Sequence, residues 1–244
     1  MELKGNSLLD NVSVQKEKLK YLFYRLIEPF ILKKNIFSMG CTLMKSTIVD
    51  NGYGLFLCRK KLIDLHIVSG SYEFQTRKVF EKLAKTSKIV VDVGAHIGKY
   101  TILASKINPN AEVFPIEVDK DNFSILNKNI SLNNLKNVHP IRVGLSNKKG
   151  KAKFDTWEVE GFEIVKTDTL DNIFKDKEID LIKIDVDGLE MNILNGGINL
   201  FSEKRIKNVI IEINDVCYKE AIQFFKKHGY KLMKIQYENY LATF

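Results

Sequence analysis

From residue 89 onward, short aliphatic and β-branched runs alternate with segments whose apolar positions recur at helical spacing. Runs at 89–93, 111–116, 137–143, 179–184, 207–213 and 230–235 are predicted strands. The leading run, Ile89 to Val93, is almost uninterrupted, which is the pattern of a parallel strand covered on both faces. Gly98 to Ile107, Lys120 to Asn133, Leu189 to Leu194 with a continuation near Phe201, and Val216 to Lys227 read as helices. Asn133-Asn134 and His228-Gly229 are their clearest stop signals. Such alternation predicts an α/β, doubly wound, mostly parallel sheet with helices on both faces.

Two regions depart from this rhythm. Over 144–175, Ser146 to Gly150 reads as a turn, Lys151 to Thr156 as an exposed strand and Glu163 to Lys166 as its partner. The single tryptophan, Trp157, falls in this excursion, where it either plugs a core edge or lines a substrate pocket. The first 70 residues are of another kind. Leu19 to Ile27 has helical apolar spacing and stops near Glu28-Pro29, because the residue before proline disfavours helix. Ser46 to Cys58 reads as a hairpin about Asn51-Gly52, and Tyr72 to Lys85 as an amphipathic helix. The chain therefore divides into an N-terminal α+β extension, 1–70, and an α/β domain, 71–244.

Composition narrows the class. At 244 residues and 45% apolar the chain can bury a full core. No run of ~20 uncharged apolar residues is present, and the N-terminus has no signal-peptide pattern. Cys41, Cys58 and Cys217 are scattered without a C-x-x-C pair, so the expectation is a reduced, cytoplasmic protein. The net charge of +8 comes almost wholly from lysines spread along the chain, with short runs at Arg59-Lys60-Lys61 and Lys148-Lys149-Gly150-Lys151. A nucleic-acid track would mass Arg and Lys around stacking aromatics. Solvated faces fit this pattern better, and attraction to an anionic substrate or lipid surface stays open.

Candidate chemistry gathers at strand ends. After the 89–93 run come Gly94, Ala95, His96 and Gly98, with Gly94 placed to let a ligand approach the backbone and Gly98 to start a helix close by. The G-x-G-x-x-G fingerprint is absent, which disfavours a pyrophosphate cradle and leaves the loop of an S-adenosylmethionine enzyme. Glu117 ends the second strand 23 residues after Gly94, where an acid accepts ribose hydroxyls in doubly wound folds. Asp185, Asp187 and Glu190 follow the fourth predicted strand. Asp92, Glu117 and Asp185 would then border one crevice at the carboxyl ends of the strands. An acidic rim suits a cationic sulfonium.

On these motifs the chain resembles the FkbM-type methyltransferases, a class I S-adenosylmethionine-dependent family. The residues that carry the resemblance are Val91 to Gly98, Pro115-Ile116-Glu117 with Asn122-Phe123 and Leu126 to Asn129, Leu145-Ser146-Asn147, and Ile182 to Glu190 with Ile193-Leu194. His96 stands where the family usually has asparagine, Asp187 where it has glutamate, and Val118 where it has proline. The resemblance implies a Rossmann-like, mostly parallel seven-stranded sheet. It also implies methylation of an oxygen on a small molecule, sugar or glycan. Asp92, Gly94, Ala95, His96 and Gly98 would lie around the methionine part, Glu117 and Val118 at the ribose, Leu145 and Ser146 beside the adenine, and Asp185 on the rim.

The acceptor's proton needs a base, and Asp187, Glu190, Glu212 and His96 are the candidates; His96 could equally cap its loop. A divalent ion on Asp185, Asp187 and Glu190 is the other route, but no histidine stands at helical spacing from them, so no metal is expected. The alternative function is RNA methylation on the same fold. The turn Asp185-Val186-Asp187-Gly188 lacks the prolines of base-methylating enzymes, and acids at the rim repel phosphate, so nucleic acid is not the expected partner. Residues 15–45 carry an apolar stripe flanked by Lys16, Lys18, Lys20 and Arg25. That stripe should pack as a substrate cover or homodimer contact, with a peripheral membrane contact as the competing reading.

Overall fold

The computed structural model describes residues 4–5, 46–60, 63–155, 162–186 and 188–244. The predicted helix over 19–27 with the rest of 15–45, and also Trp157 and Asp187, lie outside the described residues. Two units are distinguished, residues 1–74 with 128–134, and residues 75–127 with 135–244.

In the first unit β1 (Lys4–Gly5), β2 (Thr47–Asp50) and β3 (Leu55–Cys58) form an antiparallel sheet in that order. The predicted hairpin forms where expected. Asn51 Oδ1 accepts the N–H groups of Tyr53 (3.2 Å) and Gly54 (3.1 Å), an Asx-type local bond that substitutes for backbone pairing in the turn. The free edge of β3 is satisfied by side chains: Leu55 N–H donates to Asn133 Oδ1 (2.9 Å) and Leu57 N–H to Asn129 Oδ1 (2.7 Å). Helix α1 (Asp64–Val68) follows, with Asp64 buried in an ion pair with Arg59 at 2.9 Å.

The second unit follows α2 (Phe74–Ala84) with β4 (Ile89–Val93), α3 (Lys99–Ile107), β5 (Glu112–Ile116), α4 (Lys120–Leu132), whose residues from 128 on belong to the first unit, and β6 (Gly144–Leu145). Then come the hairpin strands β7 (Gly150–Asp155) and β8 (Phe162–Asp168), α5 (Leu170–Ile173), β9 (Ile179–Ile184), α6 (Glu190–Asn195) and α7 (Ile198–Ser202). The chain closes with β10 (Ile206–Glu212), α8 (Tyr218–Lys227), β11 (Lys231–Gln236) and β12 (Asn239–Thr243). The main sheet has the order β11-β12-β10-β9-β4-β5, and the small one β6-β8-β7. This is a Rossmann-like α/β arrangement, with β5, β4, β9 and β10 parallel neighbours.

The expectation of a seven-stranded sheet is corrected to six. The predicted strand at 137–143 is reduced to two isolated parallel bridges against β5, Val113 with Val138 and Ile116 with Ile141. Its ladder begins, with His139 N–H on Val113 O (2.8 Å), and resumes, with Ile141 N–H on Pro115 O (2.9 Å). Between these rungs Pro115 has no N–H to give, and a ladder with a missing donor does not register as one strand. At the other side β12, unpredicted, runs antiparallel to both β10 and β11.

Register gives the two sheet faces opposite characters. Val91, Val93, Ile182, Ile184, Val209 and Ile211 share a core with Leu194, Phe201 and Phe225. On the other face Asp92 is the register partner of Lys183, and Lys183 of Ile210. With a side-chain period of two, Asp185 and Glu212 continue that second face at the carboxyl end of the sheet.

Candidate active site

The loop between β4 and α3 is shaped by three left-handed residues, Gly94 (φ 76°), His96 (φ 50°) and Gly98 (φ 94°). Its backbone donors are consumed within the protein. Gly94 and Ala95 both donate to Ile116 O (3.0 and 3.1 Å), Gly98 donates to Ala95 O (2.8 Å), and His96 donates to Glu117 Oε2 (2.8 Å). The reason for glycine at 94 differs from the expected one. A Cβ there would lie 1.8 Å from the carbonyl oxygen of Asp185, so the space is filled by the neighbouring strand's end and not left open for a ligand. At Gly98 a Cβ would meet Leu126 Cδ1 of α4 at 2.7 Å, which is how closely that helix packs on the loop.

Glu117 stands at the end of β5 and is buried. Its Oε1 accepts the N–H of Asp119 and its Oε2 that of His96, each at 2.8 Å. Each oxygen can accept a further bond. Desolvation pushes its pKa up to about 7 even though both bonds favour the charged form. Asp92 is buried too, and accepts the hydroxyl of Thr101 on α3 at 2.6 Å. Burial raises its pKa, opposed by the Thr101 bond and by the charge of Lys183.

Lys183 is the residue that the sequence reading passes over. It is buried in β9, its Nζ donates to Asp185 Oδ2 at 2.6 Å, and the same ammonium lies 4.7 Å from the centre of the Tyr100 ring on α3. A signal is present in the sequence: one lysine inside the apolar run Leu181 to Ile184 must find a partner if that strand is central. Burial alone would raise the Asp185 pKa. The charge of Lys183, a hydrogen bond with the Glu212 carboxyl group and the charge of His96 outweigh it and hold Asp185 low. A hydrogen bond between two carboxyl groups needs one proton between them.

The predicted site residues thus join in a chain of contacts. His96 donates its backbone N–H to Glu117, Lys183 donates to Asp185, and Asp92 stands beside Lys183 as its register partner. The residue after β5 also approaches the start of β6, since Val118 Cγ2 is 3.4 Å from where a Cβ on Gly144 would stand. Leu145 is buried in the main core and Ser146 N–H donates to Asp168 O (2.9 Å). Glu190 is placed differently. It is buried and turned to its own loop, Oε1 accepting the N–H of Gly188 (3.0 Å), and its charge bears on Cys217. Asp187 lies outside the described residues, so its role is untouched by this geometry.

The family model described as Methyltransferase FkbM domain matches residues 92–232. No curated protein matches the chain in sequence. Three solved structures illustrate its structural likenesses. Precorrin-6y C5,15-methyltransferase from Geobacter metallireducens GS-15 is 15% identical, over 69% of this chain and 88% of that chain, with a TM-score of 0.47. An rRNA methylase from Streptococcus thermophilus is 14% identical, over 68% of this chain and 91% of that chain, with a TM-score of 0.47. A SAM dependent methyltransferase from Aquifex aeolicus is 16% identical, over 68% and 87%, with a TM-score of 0.44.

Proposed function

This chain belongs to the FkbM methyltransferase family, and on that premise we propose that it methylates a hydroxyl oxygen of a small molecule, sugar or glycan, with Glu212 as the base. It is an S-adenosylmethionine-dependent methyltransferase. The residues fit that group: Glu117 has acceptor capacity left on each oxygen for a ribose hydroxyl pair, and Asp185 is held charged beside a loop suited to a sulfonium. S-adenosylmethionine, when bound, supplies a methyl group on a cationic sulfur.

The observation that carries the reading is the placement of Asp185 and Glu212 one position beyond the Ile184–Ile211 register pair, at the carboxyl ends of β9 and β10, with Lys183 bonded to Asp185. Glu212 is half-buried at the carboxyl end of β10, within reach of an acceptor that enters from solvent. It then accepts the proton of an acceptor hydroxyl as that oxygen is methylated. Lys183 keeps Asp185 ionised and oriented, which makes it a positioning residue.

We read the protein as cytoplasmic, on its free thiols Cys58 and Cys217. Among the described residues no helix is long and apolar enough to cross a membrane.

The test uses methyl-labelled S-adenosylmethionine offered with cell-derived glycan, small-molecule and RNA fractions. The expected result is base-stable label in a glycan or small-molecule fraction, lowered about 10²–10⁴-fold by Glu212→Gln with cofactor affinity kept. Label in RNA alone overturns the acceptor class. Parent-level turnover by Glu212→Gln overturns the base.

A further inference from the structure

One face of the β7–β8 hairpin carries none of the candidate site residues. The two strands pair antiparallel, with Lys151 opposite Lys166, Lys153 opposite Ile164 and Asp155 opposite Phe162. Residues directly opposite share a face, so Lys151, Lys153, Phe162, Ile164 and Lys166 stand together. All five are exposed, Phe162 at 61% and Ile164 at 57%. The other face is largely engaged: Val165 and Thr167 are buried, and both carboxylate oxygens of Glu163 accept from Arg142 Nη2 at 2.7 Å.

Lysines on an edge strand guard against strand pairing, and β7 is an edge of its sheet, which accounts for Lys151 and Lys153. It does not account for Phe162, Ile164 and Lys166, which stand on the middle strand β8. Lys151 and Lys166 repel one another across the ladder, and no carboxylate among the described residues pairs with either. Lys153 Nζ lies 4.5 Å from the centre of the Phe162 ring, so this aromatic too sits under positive charge. Two large exposed apolar side chains stand on one face with three lysines against the single acid, Asp155, at its register positions, and that balance is complementary to a surface that is anionic outside and apolar just beneath.

We propose that this hairpin face docks on an anionic lipid bilayer, with Lys151, Lys153 and Lys166 at the headgroups and Phe162 and Ile164 entering the acyl boundary. Lysine, a compact point charge, suits mobile headgroups; a strand of nucleic acid would draw on arginine forks and a groove, and the face has neither. A bilayer-bound enzyme would meet acceptors carried at or near that surface.

The test is sedimentation of the full chain with vesicles of phosphatidylcholine alone and of phosphatidylcholine with phosphatidylglycerol. The intact protein should bind only the anionic vesicles, and added salt should weaken it. Replacing Lys151, Lys153 and Lys166 together with glutamine should weaken binding by about a hundredfold, since each lysine near the surface contributes about fivefold. Phe162→Ser with Ile164→Ser should weaken it about tenfold through lost apolar insertion. Both variants should bind S-adenosylmethionine as the parent does, which shows that they are folded. Failure of the intact chain to bind anionic vesicles overturns the proposal. So does undiminished binding by the variants, which would move the contact elsewhere, or loss in them of affinity for single-stranded RNA alone.

Discussion

The ammonium of Lys183 lies 2.6 Å from Oδ2 of Asp185, on a lysine side chain only 4% exposed. At that separation each group makes the burial of the other tolerable. Lys183→Met should cost about 2–4 kcal/mol, the range for breaking a buried pair reduced for the part of Asp185 that solvent reaches. Adding Asp185→Asn should recover part of that loss, because the uncompensated charge is then gone. Urea unfolding of the two single variants and the double variant measures both quantities; additive losses would mean that the pair is not coupled. The pH sense also follows. Asp185 titrates low in the folded state, so its contribution is present above the unfolded carboxylate pKa and is lost as pH falls through the folded value.

Glu117 has the opposite sign. Its folded pKa of about 7 stands above the unfolded value, so the folded protein holds a proton that the unfolded chain has already released. Stability should therefore fall as pH rises from about 4.5 to about 7 and level off above it. Ribose hydroxyls donate to a carboxylate, so S-adenosylmethionine must displace that proton at lower pH. Affinity should rise close to tenfold per pH unit below about 7 and flatten above it, with proton release on binding. Calorimetry in buffers of different ionisation enthalpy reads the released proton directly, and a flat profile would separate Glu117 from the cofactor. Glu117→Gln should lose both the profile and about 1–3 kcal/mol, because its amide group would face one of two backbone donors.

The glycines separate packing from binding. Gly94→Ala puts a Cβ against the Asp185 carbonyl, on backbone that cannot swing away, and at a left-handed φ. We expect more than about 4 kcal/mol of lost stability, an unfolding defect and not a selective loss of cofactor. Gly188→Ala is the control: φ is 101° but nothing stands within 4 Å of the new Cβ, so only about 1–2 kcal/mol of backbone strain is expected. Thermal unfolding of the pair decides it, and a well-folded Gly94→Ala protein would contradict the close approach.

Much of the parallel sheet and its acidic rim is legible in the sequence. The β-branched run from Ile89 to Val93 leads straight into Gly94, which marks β4, and Glu117 follows at the spacing of a ribose acid. What the sequence hides has physical causes. The turn from β11 to β12 places Tyr237 at φ 44°, where an Asn or Gly would announce a hairpin, so β12 carries no turn signal. The seventh strand is suggested by Val138, Ile141 and Val143 in spite of its own Pro140, while the missing rung of its ladder is set by Pro115 on the neighbouring strand. Lys183 is hard to see because pattern reading takes a lone charge in a strand as noise, whereas its meaning appears only when Asp92 and Asp185 are brought beside it.

The state of Asp185 also bears on metal dependence. One of its oxygens is held by an ammonium at 2.6 Å and its carboxyl group is bonded to Glu212, while Glu190 spends Oε1 on the Gly188 N–H. A divalent ion would need several such oxygens turned to one point, and would have to displace Lys183 against its own charge to gain this one. Methyl transfer should therefore persist in a chelator, within about twofold of the untreated rate, a difference small on the scale of one catalytic interaction. The measurement is turnover after chelation, followed by addition of magnesium or manganese. Full loss with recovery on either ion would recast Asp185 as a ligand, and the Lys183→Met protein should then gain metal affinity, because its competing ammonium is gone.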